Sequence, residues 1–85
     1  MKKQVVLVIA GEETNFLVTA ENFTTYINDV MPDDKVSASY GLCKNSVIAD
    51  DREAFEKNLN LSVAIQVSAM LVKEYQGEVS VTLKK

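Results

Sequence analysis

The chain has 85 residues, of which 47% are hydrophobic and 25% are charged, and it carries nine basic against twelve acidic residues. This length suits one domain, and we expect residues 1–85 to form a single folded unit. The net charge of −3 argues against direct nucleic-acid binding, which needs a surplus of Lys and Arg on one face.

The first two predicted elements are strands that form a β-hairpin. Lys3 to Ala10 is too short for a normal helix, and four of the five residues from Val5 to Ile9 are β-branched. A polar turn is predicted at Gly11–Glu13, and Thr14 to Thr19 reads as the second strand.

The next two predicted elements are helices that begin at capping residues. Thr19 is the expected cap of the first helix, and Pro32 ends that helix. Asp33 or Asp34 is the expected cap of the second helix, and Gly41 weakens the prediction of that helix. Helical spacing places the following apolar residues on the predicted buried faces: Phe23, Tyr26, Ile27, Val30 and Met31 in the first helix, and Val36, Tyr40, Cys43 and Val47 in the second.

Two further helical segments follow. Asp50 and Glu53 resemble a capping box that opens a short helix from Asp51 to Leu59. The last helix is predicted to begin at Asn60 or Ser62 and to end at Gly77 in the left-handed conformation. Eleven of its seventeen residues from 59 to 75 are apolar. Its polar side is a narrow stripe: Ser62, Gln66, Ala69 and Lys73.

The chain ends in a segment that alternates as a strand does. Val79, Val81 and Leu83 alternate with polar residues between Glu78 and Lys84. A strand this short needs partners, and we expect it to join the hairpin. The predicted fold class is therefore α+β: an N-terminal β-hairpin, two to three helices, and a C-terminal strand that completes a three-stranded sheet packed on the helices.

The sequence offers little catalytic chemistry. Histidine, the commonest general base and metal ligand, is absent, and Cys43 is the single cysteine. We expect Cys43 to be buried and inert. The acidic pairs at 33–34 and 50–51 are explained as helix caps. We therefore predict no catalytic residue, no cofactor, no metal site and no enzymatic activity.

The apolar content points to a partner surface. A three-stranded sheet with helices on one side leaves its second face in water, and the last helix is apolar around most of its circumference. The competing explanation is that the helices of a single subunit pack closely enough to bury all of these apolar side chains. The candidate partner-binding residues, for a client or a second copy, are Val6, Val8, Leu17, Ile65, Met70 and Val72.

Two segments resemble the small tail assembly chaperones of tailed phages and prophages. They are FTTYINDVMPDDKV at Phe23–Val36 and AIQVSAMLVKEY at Ala64–Tyr75, the latter followed by EVSVTL; the stretch Ser37–Asn60 resembles the family poorly. The resemblance implies a non-catalytic protein that binds the aggregation-prone tape measure protein during tail assembly. It also implies a protein of the host cytoplasm that is absent from the finished virion.

The second hypothesis is a small acidic inhibitor or immunity-type protein that occupies a basic site on another protein. It predicts a clustered negative face formed by Asp29, Asp33, Asp34, Asp50, Asp51, Glu53 and Glu56. The two hypotheses share a cytoplasmic location. No run of about twenty apolar residues is present to span a membrane, and the N-terminal apolar run ends at Ala10, too early for a secretory signal.

Overall fold

The computed structural model describes residues 2–30, 34–77 and 81–84. Two strands precede four helices, so the α+β class and the N-terminal hairpin are confirmed, whereas two to three helices were predicted. The elements are β1 (Lys2–Ile9), β2 (Glu12–Thr19), α1 (Ala20–Val30), α2 (Lys35–Ser46), α3 (Ala49–Asn58) and α4 (Leu61–Gln76).

The hairpin closes through a two-residue turn. β1 and β2 are antiparallel and remain paired up to Ile9 opposite Glu12. Ala10 and Gly11 both have positive φ, at 52° and 81°, as in the type I′ turns whose twist matches paired strands. The predicted turn at Gly11–Glu13 was therefore placed too far along the chain, because Glu12 and Glu13 belong to β2.

The described residues form no third strand, although one was predicted at the end of the chain. The sheet of the described residues has two strands, and residues 81–84 have no regular secondary structure. Residues 78–80 of that prediction, like Met31, Pro32 and Asp33 of the α1–α2 prediction, lie outside the described residues. Alternating hydrophobicity indicates only a tendency to extend, whereas a strand exists where a sheet edge offers it main-chain partners.

One edge of the sheet is instead occupied by the connection between α2 and α3. The Ile48 N–H donates to the Asn15 carbonyl at 3.0 Å, and Phe16 forms a β-bridge with Val47. The Asn15 N–H donates to the Asp51 carboxylate at 2.7 Å. These contacts engage the outward main-chain N–H and carbonyl of Asn15, in the middle of β2, which an additional strand at this edge would need.

The core lies between the inner face of the hairpin and the helices. β2 contributes Phe16 and Val18, and the Phe16 ring meets the Phe55 ring of α3 edge-on at 5.2 Å between centroids. The small residues Ala38 and Ala64 are fully buried on α2 and α4, which lets these helices pack closely. The core cluster consists of Ile9, Phe16, Val18, Leu42, Cys43, Val47, Phe55, Ala64, Val67 and Leu71.

Three helices begin at the predicted side-chain caps. Thr19 Oγ1 accepts from the Asn22 N–H at 3.0 Å, before α1. Asp34 Oδ1 accepts from the Ser37 N–H at 3.1 Å before α2. Asn60 Oδ1 accepts from the Val63 N–H at 2.9 Å before α4, which decides between the two predicted starts.

Two predicted helix ends were wrong. The N-cap of α3 is Ile48, without a side-chain hydrogen bond, and Asp50 lies in the first turn of the helix instead of capping it. The predicted capping box of Asp50 and Glu53 is therefore not formed, and the neighbouring Asp51 contacts Asn15. Gly77 has a φ of −65°, in the right-handed region, because its N–H continues the helical pattern to the Lys73 carbonyl at 2.9 Å.

Candidate functional site

Four of the six candidate partner-binding residues are exposed. Leu17 and Val72 are half-buried, and Val72 packs against the core. The exposed fractions of the other four are 51% for Val6, 70% for Val8, 53% for Ile65 and 47% for Met70. The structure therefore leaves apolar side chains exposed on both the hairpin and α4.

The strand register places the candidate residues Val6, Val8 and Leu17 on one outer face of the hairpin. They do not all lie next to one another. Val6 is opposite Asn15, and Leu17 is opposite Gln4. The Gln4 side-chain amide donates to Asn15 Oδ1 at 3.2 Å, along the diagonal that lies between Val6 and Leu17. Val6 and Val8 are thus neighbours along β1, whereas a polar amide pair separates them from Leu17.

A first apolar groove lies between the end of β1 and α4, and we call it the hairpin groove. Its volume is about 400 Å³. Val8 lines one wall and Met70 lines the other, so residues from both predicted patches meet here. The lining residues are Leu7, Val8, Ile9, Ala10, Val63, Gln66, Val67 and Met70.

A second groove, which we call the helical groove, lies between α1, α2 and α4. It also has a volume of about 400 Å³ and contains Ile65. The Ser68 hydroxyl at this groove donates to the Ser39 carbonyl at 3.0 Å, which satisfies that polar pair within the fold. The lining residues are Tyr26, Val30, Lys35, Val36, Ser39, Ile65, Ser68 and Ala69.

The exposed side of α4 separates the two grooves. The predicted polar stripe of Ser62, Gln66, Ala69 and Lys73 is exposed, as expected. At 100° per residue, Ile65 falls on one flank of this stripe and Met70 on the other. The helix therefore contributes to both grooves while its polar stripe faces solvent.

Val36 is a candidate residue that the sequence reasoning missed. Helical spacing placed it on the buried face of α2, but it is 53% exposed and lines the helical groove beside Ile65. The buried side of α2 contains small residues instead, including Ala38, Ser39 and Ser46. The signal that could have found it is the pattern of small residues, which marks where helices approach closely.

The single thiol of the chain is buried in the core. Cys43 is fully buried, and its sulfur lies 3.6 Å from Ser68 Oγ. Burial raises the pKa of the Cys43 thiol, and the hydrogen bond with Ser68 only partly opposes this effect. A thiol in such surroundings is protonated at neutral pH and reacts slowly. The prediction that Cys43 is buried is confirmed.

Several acidic side chains assigned to the inhibitor hypothesis serve the fold. Asp34 caps α2, and Asp51 binds Asn15. Glu53 lies 4.0 Å from the Lys57 ammonium group, one turn along α3. Fewer carboxylates are therefore left for a basic partner, and Asp33 lies outside the described residues.

The described part of the chain contains neither a metal-binding cluster nor a membrane-spanning helix. No three or more acidic or cysteine side chains in residues 2–30, 34–77 and 81–84 are placed to hold a metal ion. Across the same residues, no helix combines the length and apolar character needed to cross a membrane. The two apolar grooves and the outer face of the hairpin are the features that contain the exposed candidate residues.

Comparison with known proteins identifies a family. The model of a family described as phage tail assembly chaperone matches residues 5–85, which is nearly the whole chain. No curated protein and no solved structure matches the sequence or the fold. The family match covers β1 from Val5 onward, β2 and all four helices of the described structure.

Proposed function

Because the chain belongs to the phage tail assembly chaperone family, we propose that it binds the tape measure protein during tail assembly, through its exposed apolar surface. The role is non-catalytic. We place this activity in the host cytoplasm, before the virion is complete. The observation that carries the proposal is the pair of apolar grooves on the two sides of α4.

The grooves fit the needs of a helical client. An amphipathic helix binds by inserting apolar side chains, spaced three or four residues apart, into a groove lined by apolar residues. Val8 and Met70 would contact such side chains in the hairpin groove, and Val36 and Ile65 in the helical groove. Each groove has room for a few side chains, so a long client would be held at successive short segments.

The charge of the chain supports the same role. A protein that shields an apolar client has to stay dispersed while it exposes apolar surface itself. The net charge of −3 opposes self-aggregation, and the polar stripe keeps part of α4 hydrated between the two grooves.

The test is co-expression of the full chain with the tape measure protein encoded by the same phage or prophage. The readouts are the soluble fraction of the tape measure protein and its recovery with the tagged chain. We expect the wild-type chain to raise both. A tape measure protein that is equally soluble without the chain and does not co-purify with it would overturn the proposed function.

The proposed surface is tested by the double substitution Ile65→Asp plus Met70→Asp, which places one charge in each groove. We expect recovery of the client to fall at least about tenfold, because each buried charge lacks a partner. The matched control is Ser62→Asp plus Gln76→Asp, which adds the same charge to exposed polar positions of α4. Client binding that survives the groove substitutions, with circular dichroism unchanged, would remove the grooves from the proposal.

A further inference from the structure

Among the described residues, the outer edge of β1 is the open edge of the sheet. β1 pairs with β2 on one side, and the sheet formed by the described residues has these two strands alone. The other edge of β2 is occupied by Ile48 and Asp51, as described above. An open edge presents unpaired main-chain groups that can pair with a strand from another chain.

The register identifies which main-chain groups point outward. The N–H and carbonyl of Asn15 face Asp51 and Ile48, away from β1. In an antiparallel ladder, two residues that lie opposite each other direct their N–H and carbonyl groups either both toward the partner strand or both away from it. Val6 lies opposite Asn15, so the N–H and carbonyl of Val6 point to the open edge. The main-chain groups of Gln4 and Val8 point the same way, because this direction alternates from residue to residue along a strand. The exposed side chains of Val6 and Val8 lie at the same edge.

We propose that a second copy of this chain pairs with this edge, β1 against β1 in the antiparallel direction, and joins two hairpins into one four-stranded sheet. This pairing uses the sheet edge and does not rest on client binding. It would also bring the exposed Val6 side chains of the two copies side by side.

The charges at the two ends of the hairpin select the direction of pairing. β1 begins with Lys2, whereas Glu12 and Glu13 follow the turn at its other end. Antiparallel pairing brings Lys2 of each copy beside the acidic turn of the partner. Parallel pairing would place lysine beside lysine and acid beside acid, which is unfavourable between neighbouring strands.

The same charges select the register. With Val6 opposite Val6 of the second copy, Lys2 lies opposite Ala10, next to the acidic residues. Val8 then lies opposite Gln4, and the exposed valines of both copies form one continuous apolar stripe across the join. β1 contains neither proline nor glycine, so its main chain can pair along this whole length.

The experiment measures the mass of the full chain, without client, by size-exclusion chromatography with light scattering over a range of concentrations. We expect a dimer. Val6→Lys and Val6→Glu each place like charges opposite one another across the two-fold axis, so each should raise the dissociation constant roughly tenfold. An equimolar mixture of the two variants should restore the dimer, because lysine then faces glutamate.

The matched control is Ala54→Lys, which adds the same charge at an exposed position of α3, away from the open edge. Its mass should equal that of the wild type. A wild-type chain that is monomeric throughout, or Val6 variants that keep the wild-type mass, would overturn the proposal. So would a mixture that stays dissociated. If the charged variants fail to fold, oxidised Val6→Cys decides the matter, since a disulfide-linked dimer supports the pairing and its absence refutes it.

Discussion

The carboxylate of Asp51 accepts two hydrogen bonds from Asn15, one from the main-chain N–H at 2.7 Å and one from the side-chain amide at 3.0 Å. The two residues are 36 positions apart in sequence. Their contact connects the first turn of α3 to the edge of β2, beside the bond from Ile48 to the Asn15 carbonyl. Asp51 therefore helps to hold the helical half of the fold to the hairpin.

Asp51→Asn should destabilise the chain at neutral pH. The hydrogen bonds from Asn15 hold the pKa of Asp51 below its ordinary value, the main-chain bond contributing most. A carboxyl whose pKa is lowered by folding stabilises the native state above its ordinary value of 3.8, and this contribution is lost as the pH falls through the lowered value. Urea unfolding at several pH values measures the effect.

The neighbouring substitution Asp50→Asn is the control, because it removes the same charge from the same helical turn. We expect it to change the urea midpoint less than Asp51→Asn does at pH 7. The difference between the wild type and Asp51→Asn should shrink below the ordinary pKa. A difference that stays constant down to pH 2 would contradict the assigned role of the ionised carboxylate.

Gly41→Ala should stabilise the chain. Gly41 lies inside α2, and a Cβ atom there would meet Asp29 Oδ2 at 3.7 Å, an ordinary contact distance. Alanine in a helix interior is favoured over glycine by about 0.5–1 kcal/mol, so the free energy of unfolding should rise by that amount. The measurement is urea unfolding followed by circular dichroism.

Gly11→Ala is the opposing control for that prediction. Its Cβ would also have open space, but φ is +81°, a conformation that side chains disfavour. We expect the free energy of unfolding to fall by about 1 kcal/mol or more. Equal effects of the two glycine substitutions would contradict the turn geometry.

Phe55→Ala should be among the most damaging substitutions in the chain. Phe55 is the one residue of α3 that is buried, and it packs edge-on against Phe16. Truncating a buried phenylalanine costs about 3–5 kcal/mol, a large part of the total stability of a small domain. Phe55→Leu should retain more stability and allow measurement in urea. Glu56→Ala, at an exposed neighbouring position, should change stability by less than about 0.5 kcal/mol.

Cys43 should report unfolding by its reactivity. Since burial raises its pKa and excludes reagents, an aromatic disulfide reagent at pH 8 should modify the native chain far more slowly than the urea-unfolded chain. Adding Phe55→Leu should accelerate the reaction in proportion to the larger unfolded fraction. Native and unfolded chains that react at the same rate would show that the thiol is accessible.

The parts of the fold that could be predicted from sequence depend on neighbours along the chain. The hairpin follows from adjacent apolar and turn residues, and the caps at Thr19, Asp34 and Asn60 act within three residues. The failed cap at Asp50 shows where this reasoning ends. The neighbouring Asp51 is engaged by Asn15, a partner that no local pattern reveals.

Two other errors have the same physical origin. The alternation before Lys84 measures a preference for extended backbone, but it does not show whether the segment reaches an edge of the sheet. The buried face of α2 was assigned by hydrophobicity, whereas close packing against its neighbours selected the small residues Ala38 and Ser39 and left Val36 outside. Both outcomes depend on the placement of distant elements.

The sequence predicted several exposed residues of the candidate site, but it did not predict how they are arranged. The apolar excess correctly indicated that Val6, Val8, Ile65 and Met70 are exposed. Their division between two grooves and a sheet edge depends on how α4 lies against the hairpin. Sequence periodicity along one helix carries no information about that arrangement.

The position of α4 between the two grooves limits which substitutions this helix can accept. One side of the helix fills the core with Ala64, Val67 and Leu71, and its flanks line the grooves. Neutral substitutions are then restricted to the exposed polar stripe at Ser62 and Lys73. Most replacements elsewhere in this helix would alter the packing of the core or the lining of a groove, so little of α4 is free to change.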